Sequence, residues 1–365
     1  MSAEQHPADL PLQGVRVLDL SRLLPGPFAA MRLAQLGADV LKIEEPGIGD
    51  YARGIGPVRQ QVSQFFVGVN HGKRFARLDF KREEDKAAFL RMVRDADVVL
   101  ESFRPGVMER LQLGWTMLRS INPKLVMCSL SGYGSSGPLA LMAGHDLNYI
   151  AMSGMLQQNV NADGAPAIPN LQIGDLLGGA QQAVQGILAA LLAVKMGQAG
   201  RLVEVAMADG VLAHNVMSLI AVNAGLDAPP AGADLLSGGV PCYNLYRCSD
   251  GRYMAVGALE LKFWQILCTV LERPDLGAKH WMCGQTVGGA ESRQVRQELQ
   301  TIFARHSMAH WQALFADKDC CVTPVLTISE ALHHPQFAQR HVVTQQEHES
   351  EGVYWQTGSG LRFHY

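Results

Sequence analysis

Three stretches constrain the fold more than the rest of the chain: the run Val15-Arg-Val-Leu-Asp-Leu20, the helix-like Phe28–Leu36, and the run Asp39-Val-Leu-Lys-Ile43. The first and third are apolar and rich in β-branched residues, as buried strands are. Leu24-Pro-Gly-Pro27 breaks the first run, and Gly37 ends the intervening helix. Strand, helix and strand within so short a span make a βαβ unit, which demands a parallel sheet and a right-handed crossover. Further strands are predicted at Phe75–Phe80, Asp97–Glu101, Lys124–Leu130 and Gly200–Val205. Helices are predicted at Glu83–Arg94, Leu147–Met155, Leu176–Met196 and Met207–Ala224. The Leu176–Met196 helix is nearly all apolar and is expected to be buried. The fold class is α/β.

The chain, at 365 residues, has room for two domains. Residues 1–224 read as a large domain built on the parallel sheet, and 225–240, rich in Gly and Pro, as a linker. Residues 241–320 read as a small α+β domain. It opens with a hairpin, Tyr243–Arg247 and Arg252–Val256 around the turn Ser249-Asp-Gly251, followed by helices at Leu261–Leu271, Ser292–Ala304 and Met308–Phe315. Residues 321–365, with a strand at Val322–Leu326 and a helix at Ser329–His333, are expected to return to the large domain.

A net charge of -3 gives no global attraction to nucleic acid or to an anionic membrane, so an anionic ligand needs local cations. Met1–Asp9 has neither a basic nor an apolar segment, and the longest apolar run, Ile187–Val194, is too short to span a bilayer. The expectation is a cytoplasmic protein without a membrane span. Seven scattered cysteines without a Cys-x-x-Cys are expected to be reduced thiols. Adjacent residues in a strand face opposite ways, so Cys320-Cys321 and His333-His334 are not expected to hold a metal. No Gly-rich dinucleotide or P-loop motif follows the first strand, so no nicotinamide, flavin or nucleotide cofactor is expected.

Ligands of open α/β sheets bind beyond the carboxyl ends of the strands. Lys73, Arg74, Arg104 and Arg110 lie near predicted strand ends, with Phe103 among them. They form either a cationic site for phosphates or a set of solvated charges. The segment Ala143-Gly-His-Asp-Leu-Asn-Tyr-Ile-Ala-Met-Ser-Gly154 places His145 after a glycine at the mouth of a helix. Leu171-Gln-Ile-Gly-Asp-Leu-Leu-Gly-Gly179 places Asp175 in the same setting. An imidazole titrates near ~6.5 and a carboxylate near ~3.9 in water, and burial or a neighbour moves either. Such a pair supplies an acid and a base near neutral pH. Taken singly, each residue also suits a helix cap.

Gly144-His-Asp-Leu-Asn-Tyr149, Ile173-Gly-Asp-Leu-Leu-Gly-Gly179 and Gly257-Ala-Leu-Glu260 carry a resemblance. So do Leu24-Pro-Gly-Pro-Phe-Ala-Ala-Met31, the stretch Leu100–Gly114, Leu130-Ser-Gly-Tyr-Gly-Ser-Ser-Gly137 and Cys321-Val-Thr-Pro-Val-Leu-Thr327. From about Leu12 to about Val343 the chain resembles the family III CoA-transferase (CaiB/BaiF) superfamily, and within it the α-methylacyl-CoA racemases. The resemblance implies a large Rossmann-like domain, a small α+β domain and an interlocked homodimer. It implies racemisation of 2-methylacyl-CoA thioesters with His145 and Asp175 as the two proton carriers and Glu260 orienting the histidine. No metal, pyridoxal phosphate or redox cofactor is implied; CoA belongs to the substrate. The negative oxygen of the enolate needs donors, for which main-chain N–H groups following Asp175, near Gly178 and Gly179, are expected.

For CoA the resemblance implies Arg77, Leu78, Asp79 and Phe80 around the adenine. It implies Ser102, Phe103, Arg104 and Arg110 at the phosphates and pantetheine, and Ala143, Gly144, Asp146, Leu147 and Asn148 at the thioester. The chain departs from the racemases at Leu261, where they usually have proline, and at Glu45, where many have an arginine before proline. The headgroup is therefore expected to lean on Lys73, Arg74 and Arg104, with Arg77 supplying part of the missing charge. The rival within the family is CoA transfer, in which Asp175 is a nucleophile. A CoA-binding protein without catalysis is a third reading. The acyl group is not named by any motif.

Overall fold

Six strands form one parallel sheet: β1 (Arg16–Asp19), β2 (Asp39–Glu44), β3 (Arg74–Arg77), β4 (Val98–Glu101), β5 (Val126–Ser131) and β6 (Leu202–Ala206), in the order β3-β2-β1-β4-β5-β6. The computed structural model describes residues 10–59, 61–161, 163–227, 230–348 and 352–364. Met1–Asp9, Ala228 and Pro229 of the expected linker, and Tyr365 lie outside these. The strand order reverses at β1, so the crevice beyond the carboxyl ends of β1 and β4 is the switch point where doubly wound folds take ligands.

Alternate residues of each strand feed two cores, as the two-residue strand period requires. Val17, Val40, Val98, Leu100 and Val126 pack under helices α1 (Pro25–Gln35) and α6 (Gly174–Lys195). Leu18, Val99 and Met127 pack under α3 (Glu83–Arg94) and α4 (Trp115–Ile121) through Phe89, Val93 and Leu118. Each fully buried side chain of this size contributes about 1.5–3 kcal/mol. α1 begins with Pro25, whose missing N–H costs nothing at a helix start. Between β2 and β3, α2 (Gln64–Asn70) is capped by Ser63, whose Oγ accepts from the Phe66 N–H at 3.1 Å.

Two compact units share the described residues. The first runs to Leu156, resumes over Ala167–Asn215 and ends with the segment from Gln336 onward; the second takes Gln157–Pro166 and Val216–Pro335. This division falls elsewhere than the predicted boundary at 224. The predicted helix Met207–Ala224 is in fact two, α7 (Met207–His214) and α8 (Val216–Asn223), broken at Asn215. The second unit holds an antiparallel sheet of β7 (Tyr243–Arg247), β8 (Tyr253–Gly257) and β9 (Val322–Pro324), with β8 central. β9 was expected in the C-terminal segment; its register, Met254 opposite Pro324, ties it to the hairpin. Helices α9 (Leu261–Val270), α10 (Ala290–Phe303) and α11 (Met308–Phe315) pack on this sheet through Trp264, Phe303 and Trp311. In the first unit a hairpin, β10 (Val343–His348) and β11 (Gly352–Thr357), closes the described chain, and its Thr357 carbonyl accepts from Gln35 Nε2 at 2.6 Å.

The apolar α6 is not fully buried, contrary to expectation. Ala183, Val184, Ile187 and Ala190 are buried, whereas Leu192 is 61% exposed and Met196, just past the helix end, 71%. By length and composition alone it is apolar enough to cross a membrane, but here one face packs against the sheet.

Candidate active site

His145 heads helix α5 (Asp146–Met152) in extended conformation, with φ -130° and ψ 174°. Its N–H donates to Asn148 Oδ1 at 3.0 Å, and its carbonyl accepts from the Asn148 N–H at 2.8 Å. The amide oxygen of Asn148 is therefore spent on holding the histidine's backbone. Tyr149, buried beneath, donates its hydroxyl to the Gly144 carbonyl at 2.5 Å. A Cβ on Gly144 would meet the Tyr149 ring at 2.8 Å, and one on Gly132 would meet it at 2.5 Å, so the two glycines make room for that ring. The imidazole is left at the surface.

Asp175 lies in the first turn of α6, and Asp146 Oδ1 accepts from its N–H at 2.9 Å. Two helix starts are thus joined one residue away from His145. Gly174 permits this approach: a Cβ there would sit 2.9 Å from Asp146 Oδ1. Burial, and then the neighbouring Asp146 carboxylate, raise the Asp175 carboxyl to about 7. Burial and the charges of Asp175 and Asp146 push the Tyr149 hydroxyl up to about 12.

The first part of α6, Gly174–Gln181, is a π-helix, a form rare in proteins and frequent at functional sites. Close packing on α7 accompanies it. A Cβ on Gly178 would lie 2.4 Å from the Met207 carbonyl oxygen, and one on Gly210 would lie 2.2 Å from the Gly178 oxygen. Gly178 and Gly179 therefore serve helix contact. Of the predicted donors after Asp175, the Leu176 N–H is spent on the Gln172 carbonyl at 2.8 Å, and the Asp175 N–H itself is spent on Asp146. At the start of α5, the N–H groups of Asp146 and Leu147 have no acceptor among the described residues.

The predicted CoA-binding residues separate into distinct places. Lys73 is buried, and its Nζ donates to Asp19 Oδ2, the Pro27 carbonyl and Asn70 Oδ1, each at 2.8 Å. All three ammonium donors are used, so none is left for a phosphate. Burial lowers Lys73 to about 8 against the pull of Asp19. Burial opposes ionisation of Asp19 too, but Lys73 and Lys42 outweigh it and hold the carboxyl low. Lys42 pairs in turn with Asp50 at 2.9 Å, completing a neutral buried quartet. Arg74 opens β3 and forms a bidentate pair with Asp39 at the opening of β2, at 2.9 and 2.6 Å. It stands at the amino ends of the strands, not the carboxyl ends.

Arg77 is exposed and lines a cavity of about 620 Å³ with Arg53, Phe66, His71, Phe75 and Tyr354. Leu78 and Phe80 pack on the core beneath α3, and Phe80 meets the Phe89 ring at 5.1 Å. Asp79 caps a turn by accepting from the Lys81 N–H at 3.0 Å. Ser102, Phe103 and Arg104 follow β4 at its carboxyl end. Ser102 Oγ accepts from the Arg22 N–H at 3.0 Å, and the Phe103 N–H donates to the buried Glu101 carboxylate at 2.7 Å. Arg104 and Arg110 are exposed, as are Ala143 and Leu147. Glu260 heads α9 in the second unit, exposed, with no side-chain cap bond.

One residue here, Arg22, and one role, that of Asp146 toward Asp175, were not read from the sequence. Arg22 stands among Ser102, Phe103 and Glu45, yet one arginine after a strand carries no pattern. Asp146, taken as a CoA contact, also tunes Asp175; that needs two segments 29 residues apart to meet.

The human protein "Alpha-methylacyl-CoA racemase" is 36% identical over 90% of this chain and 81% of its own length. "Acetyl-CoA:oxalate CoA-transferase" of Acetobacter aceti is 34% identical over 91% of this chain and 85% of its own. A crystal structure of Rv3272 from M. tuberculosis superposes with a TM-score of 0.81 at 30% identity, covering 97% of this chain and 93% of that one. Residues 12–365 match CoA-transferase family III. With this sheet order, these helix-start residues and that match, the chain belongs to CoA-transferase family III.

Proposed function

We propose that the protein is a racemase of 2-methylacyl-CoA thioesters. The observation that carries this reading is the juncture of α5 and α6. It presents His145 at the surface, next in sequence to the Asp146 that binds the Asp175 N–H, and a partly buried Asp175 whose carboxyl is raised to about 7. A carboxyl near neutrality accepts a proton in one direction and returns it in the other, as the imidazole does. One group takes the α-proton from one face of the thioester, and the other delivers a proton to the opposite face of the planar enolate. The N–H groups opening α5 are assigned to the enolate oxygen, in place of those after Asp175. Glu260 keeps the orienting role that the resemblance implies.

CoA transfer is the second reading, favoured by the oxalate transferase relative. There Asp175 attacks the acyl carbon and expels the CoA thiolate, giving a mixed anhydride; the thiolate then attacks the aspartyl carbonyl, releasing the acyl group as a free carboxylate and leaving an aspartyl-CoA thioester that an acceptor carboxylate can take up. We further propose that the protein works as a homodimer. α8 is apolar, and none of its residues is buried.

The test is to incubate the protein with one enantiomer of a 2-methylacyl-CoA in deuterated water, with and without a free carboxylic acid. Deuterium at the α-carbon with loss of optical purity, independent of the acid and abolished by His145→Ala, is expected. CoA passing to the added acid while the α-proton stays would replace racemisation by transfer.

A further inference from the structure

The carboxyl ends of β2, β1 and β4, three neighbours in the sheet, bring Glu45, Arg22 and Phe103 together. The Arg22 guanidinium lies 5.4 Å from the ring centroids of both Tyr51 and Phe103. Its Nη2 is 3.3 Å from Glu45 Oε2, and its Nη1 is 3.4 Å from the Tyr51 hydroxyl. A guanidinium has five N–H donors, and these two contacts are long for charge-assisted bonds. The remaining donors have no acceptor among the described residues.

The backbone beneath is firmly held. The Arg22 N–H donates to Ser102 Oγ at 3.0 Å. Leu23 sits at φ 66°, a left-handed conformation that a branched side chain adopts only where its surroundings impose it. Its N–H donates to Asp50 Oδ1 at 2.9 Å, and Asp50 is fixed by the buried Lys42. Arg22 is thus a cation on a rigid base, flanked by two rings, at the switch point of the sheet. Its lock is weak: the two side chains of the Arg22–Glu45 pair are 27% and 47% exposed, and pairs so exposed contribute little.

We propose that Arg22 binds a phosphate of CoA, and that Glu45 is an intramolecular stand-in which the phosphate displaces. This rests on the reading of the site as a CoA site. A phosphate offers three oxygens to the unspent donors, where Glu45 engages the guanidinium at a single point. Glu45 thereby weakens binding, since each association must first break the internal pair.

Isothermal titration of the full chain with CoA, 3′-dephospho-CoA and pantetheine tests the proposal, using wild type, R22A, R22K and E45Q. R22A is expected to weaken CoA by about 10-fold or more, with R22K between it and wild type, and to leave pantetheine unchanged. E45Q is expected to tighten CoA by roughly 3-fold, the opposite sign. Persistence of the R22A effect with 3′-dephospho-CoA assigns the contact to the diphosphate, and its loss assigns it to the 3′-phosphate. Equal CoA affinity in R22A and wild type overturns the proposal. So does weakening by E45Q, which would make the pair structural; E45Q alters one surface oxygen and decides the matter even if R22A is unstable. Wild type that binds no CoA removes the CoA reading itself, and the proposal with it.

Discussion

Replacing Asp146 by Asn should lower the pKa of Asp175 and move the pH dependence of the reaction. The Asp175 carboxyl rises from 3.8 to about 7, first through burial and second through the Asp146 charge. Asn keeps an oxygen that can accept from the Asp175 N–H, so the join at 2.9 Å is preserved while the charge goes. Like charges about 4 Å apart at an effective dielectric near 20 repel by about 4 kcal/mol, and less at greater separation. Because Asp146 is the lesser of two causes, a fall of about one in pKa is expected, or about 1.4 kcal/mol. Asp175 would then be mostly ionised at pH 7, and the direction in which it donates a proton slows by about 5-fold. Carbon-13 NMR titration of the Asp175 carboxyl reads the change without catalysis, and the pH profile of α-deuterium exchange reads it during turnover. An Asp175 titration unmoved in the Asn variant would refute the claim that Asp146 tunes it.

Gly178→Ala places a methyl 2.4 Å from the Met207 carbonyl oxygen, so a loss of about 1–3 kcal/mol and a lower Tm are expected; an unchanged Tm would show that α6 and α7 separate freely. Lys73→Met leaves Asp19 with Lys42 at 4.0 Å, an expected loss of about 3–5 kcal/mol with CoA affinity intact in the folded protein. Reduced CoA affinity at unchanged Tm would make Lys73 a ligand contact after all. Glu101 is buried and raised to about 7 by burial, so its folded state favours the protonated form. That stabilisation is present below the ordinary carboxyl pKa of 4.5 and is lost as pH rises through 7, a range of up to about 3 kcal/mol. Glu101→Gln should flatten this fall in denaturant titrations between pH 5 and 8, and an equal slope would sink the assignment. Light scattering should give twice 39.7 kDa, because α8 exposes Met217, Leu219, Ile220 and Val222; a monomer would remove the dimer proposal.

Much of the large unit was legible because its signals are local. Val15–Leu20, Phe28–Leu36 and Asp39–Ile43 each carry their own periodicity, and the structure has β1, α1 and β2 there. The predicted helix Glu83–Arg94 has the observed bounds, since acidic residues open it and basic residues close it. His145 and Asp175 were legible as helix-start residues, and both stand at helix starts. Lys73 was read as a phosphate cation because a lysine near a predicted strand end carries no sign of burial; only the meeting of Asp19, Asn70 and the Pro27 carbonyl makes its burial tolerable. The π-helix was invisible, because Gly174, Gly178 and Gly179 read equally well as a loose helix start until α7 lies against them.

The sequence by itself determined the elements, the parallel sheet and the residue types available for proton transfer. Hydrophobic period, breakers and caps act within a few residues and need no partner segment. Tertiary structure alone decided the charges and freedoms of those residues. Asp175 approaches neutrality because burial and Asp146 converge on it, Lys73 is spent on Asp19, and Arg22 keeps open donors between Tyr51 and Phe103. Each of these depends on solvent exclusion and on neighbours from distant segments, quantities that exist only once the chain has folded.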